Sequence, residues 1–271
     1  MDTITSLFNS YLPEPHASLM NGILLGRPLF VTDTFYNQLK AVGLIHIVVL
    51  SGMNITLLSS IILRAIVPLI GRRPAMILTI GIIGGFIFFV GPEAPVVRAG
   101  IMGILSLIGL LFGRKTLTLY SLFISAVLMI LVNNEWLTSI SFQLSFTATL
   151  GIILFGSPVK NDDMNNQMKN RSLPLFSYIL EELRISLSAQ VFTVPLIFYY
   201  FRQISLVAPV ANILIAWLIA PIMILGIIII PLGLINWQMG FVASWSVYPL
   251  LSIIVFVAEW LSKIPYASFS L

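Results

Sequence analysis

The stretch ISLVAPVANILIAWLIAPIMILGIIIIPLGLI, residues 204–235, contains no charged side chain. A helix needs roughly 20 apolar residues to cross about 30 Å of hydrocarbon. This run is about 32 residues long, with only Ser205 and Asn212 polar, and it is punctuated by Pro209, Pro221 and Pro231. Proline cannot donate a backbone hydrogen bond, so the run predicts a broken helix or a re-entrant pair inside a membrane.

The rest of the chain agrees. Of 271 residues, 58% are hydrophobic and 9% are charged, with a mean hydropathy of +1.03. A soluble domain carries about 25% charged residues to cover its surface. That excludes a soluble enzyme or binding module, and the high hydrophobicity excludes disorder. The class left is a polytopic integral membrane protein. Without cysteine, disulfides and thiolate chemistry are out. Two isolated histidines, His16 and His46, argue against a histidine-rich metal centre. The net charge of +4 reports topology in such a protein, and it also suits an anionic cargo.

Working outward from residues 204–235, the apolar runs are 41–63, 74–90, 95–112, 116–132, 139–155, 185–201 and 241–261. The predicted fold is an all-α integral membrane bundle of about eight or nine spans. Its first span is expected to break near the middle, and the proline-rich late span is expected to break too. Residues 1–40 read as interfacial helices with no signal peptide, and residues 41–271 as the polytopic transmembrane domain. Residues 157–172 form a long polar loop. Residues 173–184 are amphipathic and are expected at the interface, with Glu181 and Arg184 paired at i, i+3.

Loop charges orient the bundle. Arg72 and Arg73, then Arg114 and Lys115, then Lys160, Lys169 and Arg171 follow the odd-numbered spans. Glu93 and Glu135 follow the even ones, with no basic residue. The odd loops are therefore expected in the cytoplasm and the N-terminus outside.

Polar side chains are expensive in hydrocarbon, so each marks a path, a site or a helix contact. In GLIHIVVLSGMNITLL, Ser51, Gly52 and Asn54 fall at mid-membrane. The glycine fits either a helix break lining a wet cavity or close helix packing. His46 reads as structural or path-lining; about 140° separates it from Ser51 on a helix, which rules out a catalytic pair. Arg98, in the first turn of its span, opposes the helix dipole, so it either snorkels to the outer headgroups or has an anionic partner, Glu93 or a passing anion. Gln143, Gln190 and Asn212 read mainly as interhelical hydrogen-bond donors. Ser141, Ser145 and Thr149 share one helix face. Phe142, Phe146 and the run 198–201 offer either base-stacking faces or packing and an interfacial belt. Gly81 with Gly85, and Gly109 with Gly113, read as helix-packing faces. The sequence GLLFGRKT, residues 109–116, fails as a phosphate loop because Arg114 separates the glycine from the lysine.

Four stretches taken together resemble the ComEC-type competence membrane domain. They are GLIHIVVLSGMNI (43–55), VVRAGIM (96–102), FQLSFTATLGIILF (142–155) and LSAQVFTVPLIFYYFRQISLVAPVANILIAWLIAP (187–221). The resemblance implies a bacterial inner-membrane channel that imports transforming DNA as a single strand. It carries over His46, Ser51, Gly52, Arg98, Gln143, Ser145, Gln190, Pro195 and Asn212 as the family's positions. Asn54 departs from it, standing where many members have histidine. Members also carry an extracellular OB-type domain and a metallo-β-lactamase-like domain, which two isolated histidines cannot supply. The expectation is thus a membrane module without catalytic residues, metal or cofactor, working in the lipid bilayer with a separate nuclease or DNA-binding module and a cytoplasmic motor. Oligomeric state is left open. The competing readings are an ion- or lipid-coupled small-solute transporter with a mid-membrane polar site, and an intramembrane enzyme.

Overall fold

The computed structural model describes residues 2–48, 52–114, 117–156, 174–264 and 268–270. The N-terminal helices are α1 (Asp2–Tyr11), α2 (His16–Leu25), α3 (Asp33–Val42) and the short α4 (Ile45–Val48). Then come α5 (Gly52–Ile70), α6 (Arg72–Val90), α7 (Ala94–Leu111) and α8 (Thr118–Val132). After a 3₁₀ turn at Asn134–Thr138, α9 (Ile140–Gly151) runs into a π turn at Ile152–Gly156. The C-terminal part holds α10 (Pro174–Phe201), α11 (Ala208–Ile235), α12 (Trp237–Ser244) and α13 (Tyr248–Ser262). One small antiparallel ladder pairs β1 (Gln203–Ser205) with β2 (Ser268–Ser270).

The architecture is an all-α polytopic bundle. Helices α6 and α7, residues 180–200 of α10, and α11 are each long and apolar enough to cross a membrane. Helices α12 and α13, bent by 43°, form a fifth span if taken as one. Residues 54–70, α8 and residues 140–156 are shorter apolar helices. At 1.5 Å per residue the 15 residues of α8 reach about 22 Å. The expected apolar runs from residue 74 onward each fall on a helix or a helix pair, but several of these helices are shorter than a full crossing. The outer surface is apolar, as lipid requires, with Phe88, Leu69 and Ile235 fully in view.

The structure corrects several boundaries. Helix α11 is continuous through Pro221 and Pro231, where a break was expected. Pro209 sits in its first turn, where no intrahelical donor is required. Each interior proline gives up one backbone bond, yet Ile215, Leu218, Ile219, Ile222 and Met223 are wholly buried and hold the helix in line. The bend falls instead between α12 and α13. Residues 174–201 likewise form one helix, not an interfacial piece followed by a span. The first span does not begin at Ala41, because α3 runs to Val42 and stops at Gly43 with φ 77°. There the Gly43 amide donates to the Lys40 carbonyl (3.1 Å) and the Leu44 amide to the Leu39 carbonyl (2.9 Å), the glycine-capped helix stop. The expected mid-span break and the loop at 157–172 lie outside the described residues.

Gly81, Gly85 and Gly113 do not serve as the expected packing glycines. A β-carbon at Gly81 or Gly85 would meet nothing within 4 Å. Gly113, with φ 68°, terminates α7 in the same way as Gly43 terminates α3. Close helix contact occurs elsewhere, at Gly100 against Ile87 and at Gly151 against the Ser188 backbone.

The cores fall into groups. The largest joins Phe8, Leu19, Ile23 and Leu39 of the N-terminal helices to Leu218, Ile222, Leu251 and Ile254 of α11 and α13. All ten residues of α2 are buried, and its apolar side chains belong to this group. A second group links α5, α6 and α7 through Ile55, Ile83 and Val96. A third links α7, α8 and α9 through Ala94, Met129 and Phe142. Helix α5 ties the first group to the second.

Candidate functional site

Three of the sequence-predicted positions converge: Gly52, Arg98 and Ser145. Helix α7 places Arg98 one turn from its N-terminus, and only 8% of the residue is exposed. A snorkelling side chain would reach outward to the headgroups; this one turns inward. Its Nε donates to Ser145 Oγ at 2.9 Å. Its Nη1 donates to Thr149 Oγ1 and, at 3.9 Å, makes a weak contact with Met102 Sδ. The i, i+4 spacing of Ser145 and Thr149 on α9 puts both hydroxyls under one guanidinium. Thr149 is a site residue that the sequence places only on the same helix face as Ser145. That shared polar face was the signal for it.

Gly52 completes the pocket. A β-carbon there would stand 2.7 Å from Arg98 Nη2, 3.2 Å from Ala99 Cβ and 3.4 Å from the Pro95 carbonyl. The glycine supplies the space that Nη2 occupies, and Nη2 makes no hydrogen bond among the described residues. Nor does any carboxylate among them pair with Arg98. Glu93, the expected protein partner, is the N-cap residue of α7, and its side chain stays exposed without capping the helix. Desolvation by its surroundings pushes the Glu93 carboxyl above the usual carboxylate value. Hydroxyl dipoles solvate a cation but do not cancel it. The cluster is therefore a buried fixed positive charge with one donor edge free, an arrangement suited to transient contact with an anion.

The other predicted positions do not join this cluster. Asn54 is fully buried and its Nδ2 donates to the Ile23 carbonyl at 3.0 Å. That carbonyl lies in the last turn of α2, where intrahelical donors run out. Gly52 and Asn54 are two residues apart, so they point to nearly opposite sides of α5, one toward α7 and one toward α2. Gln143 donates to the Leu137 carbonyl (3.2 Å) and accepts from the Tyr200 hydroxyl (2.9 Å), joining α9 to α10. Asn212 Nδ2 donates to Ser186 Oγ at 3.0 Å, and its buried Oδ1 has no partner among the described residues. Gln190 is half-buried on α10, one turn from Ser186. His46 is accessible on α4. Ser51 lies outside the described residues. Phe142 and Phe146 stack on each other at 6.0 Å, with Phe142 buried in the third core group, so this pair packs helices. The expected Glu181–Arg184 pair is replaced by a bond from Arg184 Nε to the Phe155 carbonyl at 3.0 Å, which caps the π turn.

Fold and site together define a polytopic helical membrane protein built around a buried, hydroxyl-held arginine. Residues 23–271 match the family model described as "Competence protein", and the chain belongs to that family. It is similar to ComE operon protein 3 of Bacillus subtilis (strain 168), with 26% identity over 213 residues. That alignment covers 78% of this chain but 26% of the relative, so the chain spans about a quarter of the relative's length. No solved structure matches it.

Proposed function

We propose that this chain is the membrane conduit for importing transforming DNA as a single strand. In this reading Arg98 is the fixed cation past which successive phosphates move. Membership of the competence family supports a role in DNA uptake. The observation that carries the finer reading is the Arg98 cluster: a guanidinium buried in a span, held by two hydroxyls, with its Nη2 edge unbonded beside Gly52. Phosphodiester oxygens are the complementary acceptors. The mid-membrane solute pocket of the competing transporter reading gains little support. Asn54 bonds α2, while Gln143 and Asn212 bond α10 at Tyr200 and Ser186, about 20 Å apart along the helix, so the three do not gather in one place.

In this proposal the chain is a passive conduit without enzymatic activity in the bacterial inner membrane, with its N-terminus outside and its basic loops in the cytoplasm. Strand degradation and pulling are assigned to a separate nuclease or DNA-binding module and a cytoplasmic motor. The test is complementation of a strain lacking its competence membrane protein. Restored uptake of labelled DNA, recovered in the cytoplasm as a single strand and abolished by Arg98→Ala, is expected. Unchanged uptake with Arg98→Ala at normal protein levels would refute the assigned site.

A further inference from the structure

At the far end of α6 and α7 from the Arg98 cluster, an open cavity of about 510 Å³ lies between the start of one helix and the end of the other. Arg72, Arg73 and Arg114 border it, over a floor that includes Met76, Leu111 and Phe112. The chain puts them there for local reasons. Arg72 and Arg73 open α6, directly after Gly71. Gly113 stops α7 in a left-handed turn, with the Arg114 amide bonded to the Gly109 carbonyl at 2.8 Å, and this brings Arg114 back beside them. None of the three guanidinium groups makes a hydrogen bond or ion pair among the described residues, and no acidic residue lines the cavity. The N-terminal end of α6 adds a partial positive charge.

We infer that this cavity binds the phosphodiester headgroup of an anionic phospholipid, with an acyl chain lying over the apolar floor. Its place in the bundle favours lipid over the nucleic-acid strand. Helices α6 and α7 are both long enough to span, so their adjoining ends mark headgroup depth on one side. Among the described residues helix α6 packs mainly on α5 and α7 and turns Ile77, Leu78 and Phe88 outward, which sets the cavity at the lipid-facing side of the bundle. Phe112 is 77% exposed at its rim, as an acyl-facing aromatic would be. Basic pockets between helices at this depth are the usual receptors for acidic headgroups, with about 1 kcal/mol for each arginine near the surface.

The test uses the full chain purified in detergent. Its thermal unfolding is followed with added phosphatidylglycerol, phosphatidylcholine, inorganic phosphate or a single-stranded oligonucleotide, each also run on the R72Q/R73Q/R114Q variant. Phosphatidylglycerol alone should stabilise the wild type. The triple variant should need about a hundredfold more of it for the same effect. The variant unfolding like the wild type in phosphatidylcholine would show that its fold is intact; should it fail to fold, the single R114Q variant carries the test, with about a fivefold loss expected. Equal stabilisation by phosphatidylcholine, or an undiminished response of the variant to phosphatidylglycerol, would overturn the inference. So would a full effect from inorganic phosphate, which means a bare anion site. Stabilisation by the oligonucleotide, lost in the variant and not matched by phosphatidylglycerol, would assign the cavity to the DNA path.

Discussion

Gly52 and Arg98 are fitted to each other: a side chain as small as methyl at position 52 would stand 2.7 Å from Arg98 Nη2. Ala99 and the Pro95 carbonyl close the other sides, so the guanidinium, not the helix, must move. Gly52→Ala is expected to lower DNA uptake at least as far as Arg98→Lys does, with unchanged protein in the membrane. Gly81→Ala, which faces open space, is the control and should leave uptake at the wild-type level. Normal uptake by Gly52→Ala would remove the glycine from the site.

The membrane class and the positions of the apolar helices were legible because hydropathy in lipid is a local property of sequence. The convergence of Gly52 with Arg98 was not. It depends on α5 packing against α7, and each residue alone had a bland reading. The shared face of Ser145 and Thr149 was legible from i, i+4 spacing, but what lay opposite it was not. Proline misled at Pro221 and Pro231, because the burial of α11 outweighs two missing backbone bonds. The span start at Ala41 failed because Gly43, two residues later, carries the left-handed stop.

Removing the hydroxyls tests how Arg98 is held. A hydrogen bond to a charged group contributes about 1.5–3 kcal/mol, and a buried donor left without a partner is costly. Ser145→Ala and Thr149→Val should each lower the unfolding temperature of the purified chain and reduce uptake, with the double variant worse than either. Thr149→Ser keeps the oxygen and should stay near wild type. A double variant as stable and active as the wild type would mean that Arg98 is positioned by something else.

Asn54 is expected to matter for stability before transport. Its amide donates to the last turn of α2, so Asn54→Ala leaves the Ile23 carbonyl short of a donor, at a cost of about 1–3 kcal/mol. Asn54→Asp should be worse, since a carboxylate cannot donate and would be buried. Thermal unfolding in detergent measures both. If Asn54→Asp unfolds at the wild-type temperature, the bond to α2 carries no weight.

Glu93 gives a pH signature. Its carboxyl is raised in the folded protein, so the folded state holds the proton to higher pH than the unfolded chain. Stability should then fall as pH rises from the ordinary carboxylate value through the raised one. Glu93→Gln mimics the protonated form. It should match the wild type below that window and unfold at a slightly higher temperature above it, the gain kept small by solvent screening at an exposed residue. Parallel unfolding curves for the two proteins across that range would contradict the direction assigned to Glu93.

Neutralising Glu93 and Arg98 separately and together separates a phosphate-guiding arginine from a structural one. Were Glu93 the counter-ion of Arg98, neutralising both with Glu93→Gln and Arg98→Gln should restore uptake lost in Arg98→Gln alone. The geometry argues otherwise, since Arg98 bonds Ser145 and Thr149 and no carboxylate pairs with it among the described residues. Glu93→Gln alone should therefore transport normally, and the double variant should stay as defective as Arg98→Gln. Arg98→Lys keeps the charge but loses the planar fork that spans two hydroxyls and an anion, so partial uptake is expected. Arg64→Ala should have less effect than either Arg98 substitution, because Arg64 is exposed on α5. Raising ionic strength should weaken uptake by the wild type more than by Arg98→Gln, because only the former has a buried-site charge for salt to compete with. Uptake of labelled DNA across this set, normalised to membrane protein, measures all of these. Full recovery in the double variant would make Arg98 and Glu93 an ion pair and end the phosphate role.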